Sequence, residues 1–213
     1  MKKPEINSFL EAIYSFDKAS LNLLSRKILV SERFESFFTD ILEPVLDELG
    51  ASWTSSGGIA REHFFSNWLR SILGHMVANQ VTKQSAKKII CACPQESHHE
   101  IGLLIFSVAM MNKGVGIVYL GANHPVNQLE YVLKQANAHG VALSLHLEPS
   151  RTTHEAIISL PRKLPVPVFL GGKACRKINT SFTKNGGFVL DKELRESCDF
   201  VAKYLGVDAH KSI

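Results

Sequence analysis

The sequence predicts two architectures in series: an all-α four-helix bundle, followed by an α/β domain built on a parallel sheet. Three observations lead there. Apolar residues recur at helical spacing as far as about residue 82. From Lys87 onward, short apolar runs alternate with helical stretches. The join between them, Thr82 to Lys88, is polar throughout. The domains are therefore drawn as 1–84 and 85–213.

In the first part, Ile6, Phe9, Leu10, Ile13 and Tyr14 mark one helix, and Leu21, Leu23 and Leu24 mark a second that starts at Asp17. A third begins near Ser31, with Glu35 close behind it. It carries Phe34, Phe37, Phe38, Ile41, Leu42, Val45 and Leu46, and Pro44 is expected to kink it. After Gly57-Gly58 a fourth runs from Ile59 to about Val81, with Trp68 and His75 packed in the bundle. In the second part, Ile89–Cys93, Gly116–Leu120, Val141–Leu145, Val166–Leu170 and Phe188–Leu190 read as strands. Helices are expected near 99–112, 125–138, 152–159, 172–184 and 191–205. Such alternation implies right-handed crossovers and helices on both faces of the sheet. Ligands then sit beyond the carboxyl ends of the strands, so chemistry is sought after Cys93, Leu120, Leu145 and Leu170.

Composition narrows the field. The chain has 213 residues, a net charge of +4 and 45% apolar residues, which suits globular domains. Its basic residues occur as scattered pairs, such as Lys87-Lys88, too short for a nucleic-acid stripe, so no direct nucleic-acid binding is expected. No apolar run reaches the roughly 20 residues of a membrane span, and the N-terminus lacks a signal peptide's apolar core. A cytoplasmic location follows as an expectation. The four cysteines lack paired ligand spacing and are read as reduced, buried thiols.

The loop after the first strand holds the densest chemistry: Cys93-Pro94-Gln95-Glu96-Ser97-His98-His99-Glu100-Ile101-Gly102. His99 precedes a helix, and Gly102 lies about one turn further on, where a missing side chain lets a large flat ligand approach. Without more context, the two histidines are also what an ordinary helix start capped by Ser97 would show. Ser144-Leu145 ends the third strand, and Gly171-Gly172 ends the fourth. Leu120-Gly121 ends the second.

This succession resembles the cobalamin (vitamin B12)-binding domain, whose signature after the first strand is Asp-x-His-x-x-Gly, here Ser97-His98-His99-Glu100-Ile101-Gly102. The resemblance implies a Rossmann-like (flavodoxin-like) fold and a cobalt gripped from below by His99, with the cofactor's own base displaced and its tail entering the domain. Ser144, Leu145, Gly171 and Gly172 correspond to the family's serine motif and glycine pair, although His146 stands where an aliphatic residue is usual. The acid that orients the ligand histidine is replaced by Ser97, which brings no charge. Glu96 stands two residues before His98, so a register with His98 as the ligand remains open.

The helical part is similar to that of light-responsive MerR-type cobalamin repressors. Those carry Trp, nine residues, then Glu-His over the upper face of adenosylcobalamin. Here Trp53 is followed after eight residues by Glu62-His63, preceded by Ile59-Ala60-Arg61. The resemblance implies that Trp53 covers the upper ligand, that Ile59 belongs to the cofactor-binding set, that Glu62 bonds ribose hydroxyls, and that His63 takes the upper cobalt position after the alkyl group leaves. A winged helix-turn-helix domain precedes the bundle in that group, so the expectation is a trimmed chain or a stand-alone sensor. The function implied is a light sensor, not an enzyme, using adenosyl-, methyl- or hydroxocobalamin and signalling through a protein partner or a homo-oligomer. The alternatives are a corrinoid methyl carrier and a cobalamin storage module.

Overall fold

The computed structural model describes residues 3–29, 34–81, 83 and 86–207. The chain divides into two compact units, one ending at His75 and one starting at Met76. The first is helical: α1 (Pro4–Tyr14), α2 (Lys18–Leu29), α3 (Phe34–Phe37), α4 (Glu43–Ala51) and α5 (Gly58–Ala78). Asp17 starts α2 by accepting the Ala19 and Ser20 N–H groups at 2.9 and 3.1 Å, which satisfies two donors of the first turn. The third predicted helix is interrupted by a π-helical turn, Phe38–Leu42. Pro44 is therefore not a mid-helix kink. It lies in the first turn of α4, where its missing N–H is tolerated, and the irregularity comes before it. Ser31 lies outside the described residues.

Aromatic contacts organise this unit. Phe9 meets Phe37 and Trp68 at 6.0 and 6.3 Å between ring centroids, and Phe65 stacks on Trp68 at 5.5 Å. Trp68 is buried and its indole N–H donates to Asn22 at 2.9 Å, so the polar end of the ring is satisfied. His75 and Leu23 are exposed, contrary to the bundle positions expected for them. The fourth helix stops at Ala78, three residues before the predicted end.

The second unit contains β1 (Lys88–Pro94), α6 (Ile101–Asn112), β2 (Gly116–His124), α7 (Leu129–Ala136), β3 (Gly140–Ser144), α8 (Arg151–Lys163), β4 (Val168–Gly171), α9 (Cys175–Lys184), β5 (Phe188–Val189) and α10 (Leu194–Tyr204). The strands are all parallel, in the order β2-β1-β3-β4-β5, which is the flavodoxin-like order. Alternate residues divide the sheet's two faces. Ile90, Val141, Leu143, Val168 and Leu170 join residues of α7, α8 and α9 in one apolar cluster. α6 and α10 pack together, and α6 also touches β1, β2 and β3. From Leu103 to Met110 every residue of α6 is buried, and the one hydroxyl among them, that of Ser107, donates to the Leu103 carbonyl at 2.7 Å. At the edge of the sheet, Gln80 donates to the Val115 carbonyl at 2.8 Å and accepts the Ile117 N–H at 2.9 Å, pairing groups that the strand edge leaves open.

Several predicted helices lose their first turn. α6 starts at 101, α9 at 175 and α10 at 194. The backbone just before α6 and α9 is bonded elsewhere: the Asn123 N–H donates to the Ser97 carbonyl and the Ala174 N–H to that of Leu145. Strand β2 runs four residues further than expected. Leu120 bulges out of register between the pairs Cys91–Tyr119 and Ala92–Gly121, and Gly121 takes φ 76°. Among the described residues, no helix is long and apolar enough to cross a membrane.

One close approach in the first unit has a measurable consequence. A Cβ on Gly58 would lie 2.1 Å from the Ser52 carbonyl oxygen and 2.9 Å from that of Trp53. Gly58→Ala must therefore push the Ser52–Trp53 turn off the start of α5. It is expected to cost about 1–3 kcal/mol, the range for overpacking, seen as a lower thermal midpoint. Unchanged stability would show that the turn can move freely.

Candidate functional site

The loop between β1 and α6 is held from two sides. On one side, the Glu96 N–H donates to Asn123 Oδ1 at 2.9 Å, and Gln95 Oε1 accepts the Val126 N–H at 2.8 Å. On the other, the Glu96 carboxylate accepts the Ser150 N–H at 2.8 Å and the Ser150 and Thr153 hydroxyls at 2.7 Å each, at the start of α8. Glu96 adopts φ 71°, an unusual conformation for a residue with a side chain, and these bonds over-determine it. The Ser150 and Thr153 donors hold its carboxyl below the usual carboxylate range. Glu96 is thus committed to α8, not to supporting His98 as a ligand.

His98 and His99 are exposed at the tip of this loop. The Cys93 thiol reaches the His99 carbonyl at 3.7 Å, and burial pushes that thiol's pKa up to about 12. All four cysteines are buried and none is in a disulfide. Ser97 is buried and its hydroxyl has no hydrogen-bond partner, so it does not cap α6; Glu100 occupies the cap position instead. Glu100 accepts the Tyr119 hydroxyl at 2.9 Å. Burial, then the Glu100 charge, raises the Tyr119 pKa. Ile101 is half-buried at the start of the helix.

The ends of β3 and β4 complete the site. A cavity of about 150 Å³ is lined by Gly102 and Phe106 of α6, by Ala142 and Ser144 of β3, and by Gly171 and Leu194. A Cβ on Gly102 would meet nothing within 4 Å, and one on Gly171 would meet only Leu190 at 3.8 Å, so both glycines keep space open. Gly172 is different. At φ 95°, its Cβ would fall 2.4 Å from the Leu145 carbonyl oxygen, so close backbone packing requires this glycine. Leu145 is buried, and both it and Leu120 pack into the apolar cluster under α7, α8 and α9. His146, half-buried, stacks on His99 with ring centroids 4.3 Å apart and planes 19° from parallel. Burial first, then His99 and Lys173, lowers the His146 pKa.

In the first unit, Trp53 and Ile59 are exposed at 50% and 51%. His63 is exposed, 3.8 Å from the Glu62 carboxylate, and Glu62 accepts the Ser66 hydroxyl at 2.5 Å. Ile59, Glu62 and His63 share one face of α5 by their spacing, and the tight packing of Gly58 sets the Trp53 turn against the start of that helix.

The predicted residues therefore gather in two clusters, one per unit. Sequence reasoning missed His146 as a contact of His99, Tyr119 as the partner of Glu100, and the stretch from Leu190 to Leu194, which also lines the cavity. The last could have been found from strand order, since β5 pairs with β4 and brings its own loop to the same end of the sheet.

This arrangement suits a metal-bearing ligand with a long appendage. It offers an exposed imidazole donor, an unpartnered buried hydroxyl two residues before it, and a slot kept open by glycines between helix and sheet. The Glu96 bonds also set a pH dependence. A carboxylate with a lowered folded pKa stabilises the fold above its ordinary range and loses that effect as pH falls. In hydrogen exchange, protection of the Ser150 and Glu96 amides should fall on acidification. In Glu96→Gln, protection should be lower at neutral pH and flat with pH; a wild-type response in that variant would contradict the assignment.

Both units have counterparts among known proteins. Residues 87–191 match the B12 binding domain model, and residues 5–76 match a second model, also described as a B12 binding domain. The HTH-type transcriptional repressor CarA of Myxococcus xanthus is 28% identical over 145 residues, 67% of this chain and 49% of that protein. The HTH-type transcriptional repressor CarH of the same organism is 27% identical over 175 residues, 79% of this chain and 58% of that protein. The chain thus spans about half the length of these relatives. The monomethylamine corrinoid protein of Methanosarcina barkeri shares the fold, with a TM-score of 0.64 at 16% identity over 91% of this chain and 94% of that one. With one B12 binding domain matched in the helical part and another on the parallel sheet, the chain belongs to the B12-binding domain family.

Proposed function

We propose that the chain is a cobalamin-based sensor that responds to light, with His99 as the residue that would hold the cobalt. The observation that carries this reading is the exposed His99 imidazole on a doubly tethered loop, together with a cavity edged by Gly102, Ser144 and Gly171. Bound alkylcobalamin supplies a cobalt–carbon bond that visible light can break. The chain's own residues do the rest. The Ser97 hydroxyl is available to accept the second imidazole N–H, orienting the ring without adding charge. The cavity would hold the cofactor's tail, with the two open glycines leaving it room.

The exposed Trp53 indole and Ile59 would shield an alkyl group of the cofactor from water. Glu62 would accept hydrogen bonds from sugar hydroxyls of the cofactor, and the exposed His63 would offer the cobalt a second imidazole. Such a switch requires two arrangements of the protein that the upper ligand distinguishes in free energy. Similarity to two repressors supports a regulatory output, passed to a protein partner or through self-association in the cytoplasm.

The test is spectroscopic. Adenosyl-, methyl- and hydroxocobalamin are added separately in the dark, and spectra are recorded before and after green light. A stable alkyl complex whose spectrum changes on illumination is expected. An alkyl complex indifferent to light would overturn the sensor and favour a storage or methyl-carrying role. His99→Ala should weaken cobalamin binding at least about tenfold and remove the spectrum of the imidazole-ligated form. His63→Ala should leave the dark spectrum intact and alter the illuminated one; an illuminated spectrum identical to wild type would remove His63 as the upper ligand.

A further inference from the structure

A metal-binding histidine must present its lone pair along one line. Its ring is normally fixed by a hydrogen bond from the second nitrogen to a carboxylate or carbonyl. The carboxylates flanking His99 are spent elsewhere, Glu96 on Ser150 and Thr153 and Glu100 on Tyr119. An exposed imidazole on a loop turns readily about its last torsion, whose energy profile is broad. What does lie against it is the His146 ring, nearly parallel and 4.3 Å away.

Resting on the reading of His99 as the cobalt ligand, we infer that His146 is a positioning residue, whose ring face fixes the plane in which His99 offers its nitrogen to the metal. Contact between ring faces leaves the ring edges, where the nitrogens lie, free to bond. The backbones of the two residues are anchored independently of the stack. The Leu145 N–H donates to the Gly171 carbonyl at 2.9 Å and the Ala174 N–H to the Leu145 carbonyl at 3.0 Å, which holds the end of β3. Glu96 and Asn123 hold the His99 loop. The stack is therefore not needed to place either main chain, and its effect falls on the orientation of the side chain. It is also a second link between the β1 and β3 loops, beside the one made by Glu96.

The experiment compares wild type, His146→Leu and His146→Phe, each loaded with hydroxocobalamin and then reduced to the cobalt(II) state. Electron paramagnetic resonance gives the ratio of histidine-ligated to unligated cobalt at a pH where both are populated, and total cobalamin affinity is measured separately. His146→Leu, which keeps bulk and loses the flat face, should lower that ratio roughly threefold to tenfold, as expected for loss of one ring contact. His146→Phe should restore it. A ratio in His146→Leu equal to wild type would overturn the inference while leaving His99 as ligand. Failure of Phe to restore the ratio would overturn the stacking role. Absence of any histidine-ligated form in the wild type would remove the reading of His99 and the inference together.

Discussion

The chemistry of this molecule depends on where β1 lies in the sheet. With β2 on one side and β3 on the other, the chain leaves β1 at the point where successive crossovers change direction. Helices leaving such a point diverge to opposite faces, and a crevice opens between the loops at the carboxyl ends. The His98-His99 tip emerges there, and the ends of β3 and β4 stand beside it. A different strand order would separate His99 from His146 and from the cavity.

Within that crevice, hydrogen bonding is divided between structure and ligand. Most polar groups of the β1 loop are spent on neighbours: Gln95 on Val126, Glu96 on α8, and Glu100 on Tyr119. What remains includes the exposed imidazoles of His98 and His99 and the buried Ser97 hydroxyl. A buried hydroxyl without a partner is costly, and on the proposed reading a cobalt-bound His99 would donate to it. The unusual φ of Glu96 belongs to the same economy, since a strained residue persists only when its surroundings hold it.

Much of this was legible in the residues themselves. Helical spacing, the shift at Lys87 and the motif order lead to a bundle followed by a flavodoxin-like sheet, because periodicity records which side of each element is buried. The histidine loop and the small residues at the strand ends were legible for the same reason, as departures from apolar strand patterns. Less visible was anything set by contacts distant in sequence. Nothing local tells that Glu96 bonds Ser150, more than 50 residues away, or that His146 meets His99. The close approach of Gly172 to the Leu145 backbone, from the neighbouring strand, is likewise invisible to local spacing. The π turn before Pro44 leaves no mark in the sequence pattern, because an apolar stripe reads alike through α and π geometry.

The central claim, that a protein imidazole replaces the cofactor's own base beneath cobalt, has a direct test. Protein carrying ¹⁵N-labelled histidine is loaded with unlabelled cobalamin, reduced to cobalt(II) in the dark, and examined by electron paramagnetic resonance. Ligation by His99 predicts that each cobalt line is split into a doublet by the spin-½ nitrogen, and that the doublet is lost in His99→Ala. A triplet in the labelled protein would identify the cofactor's own nitrogen and contradict the account.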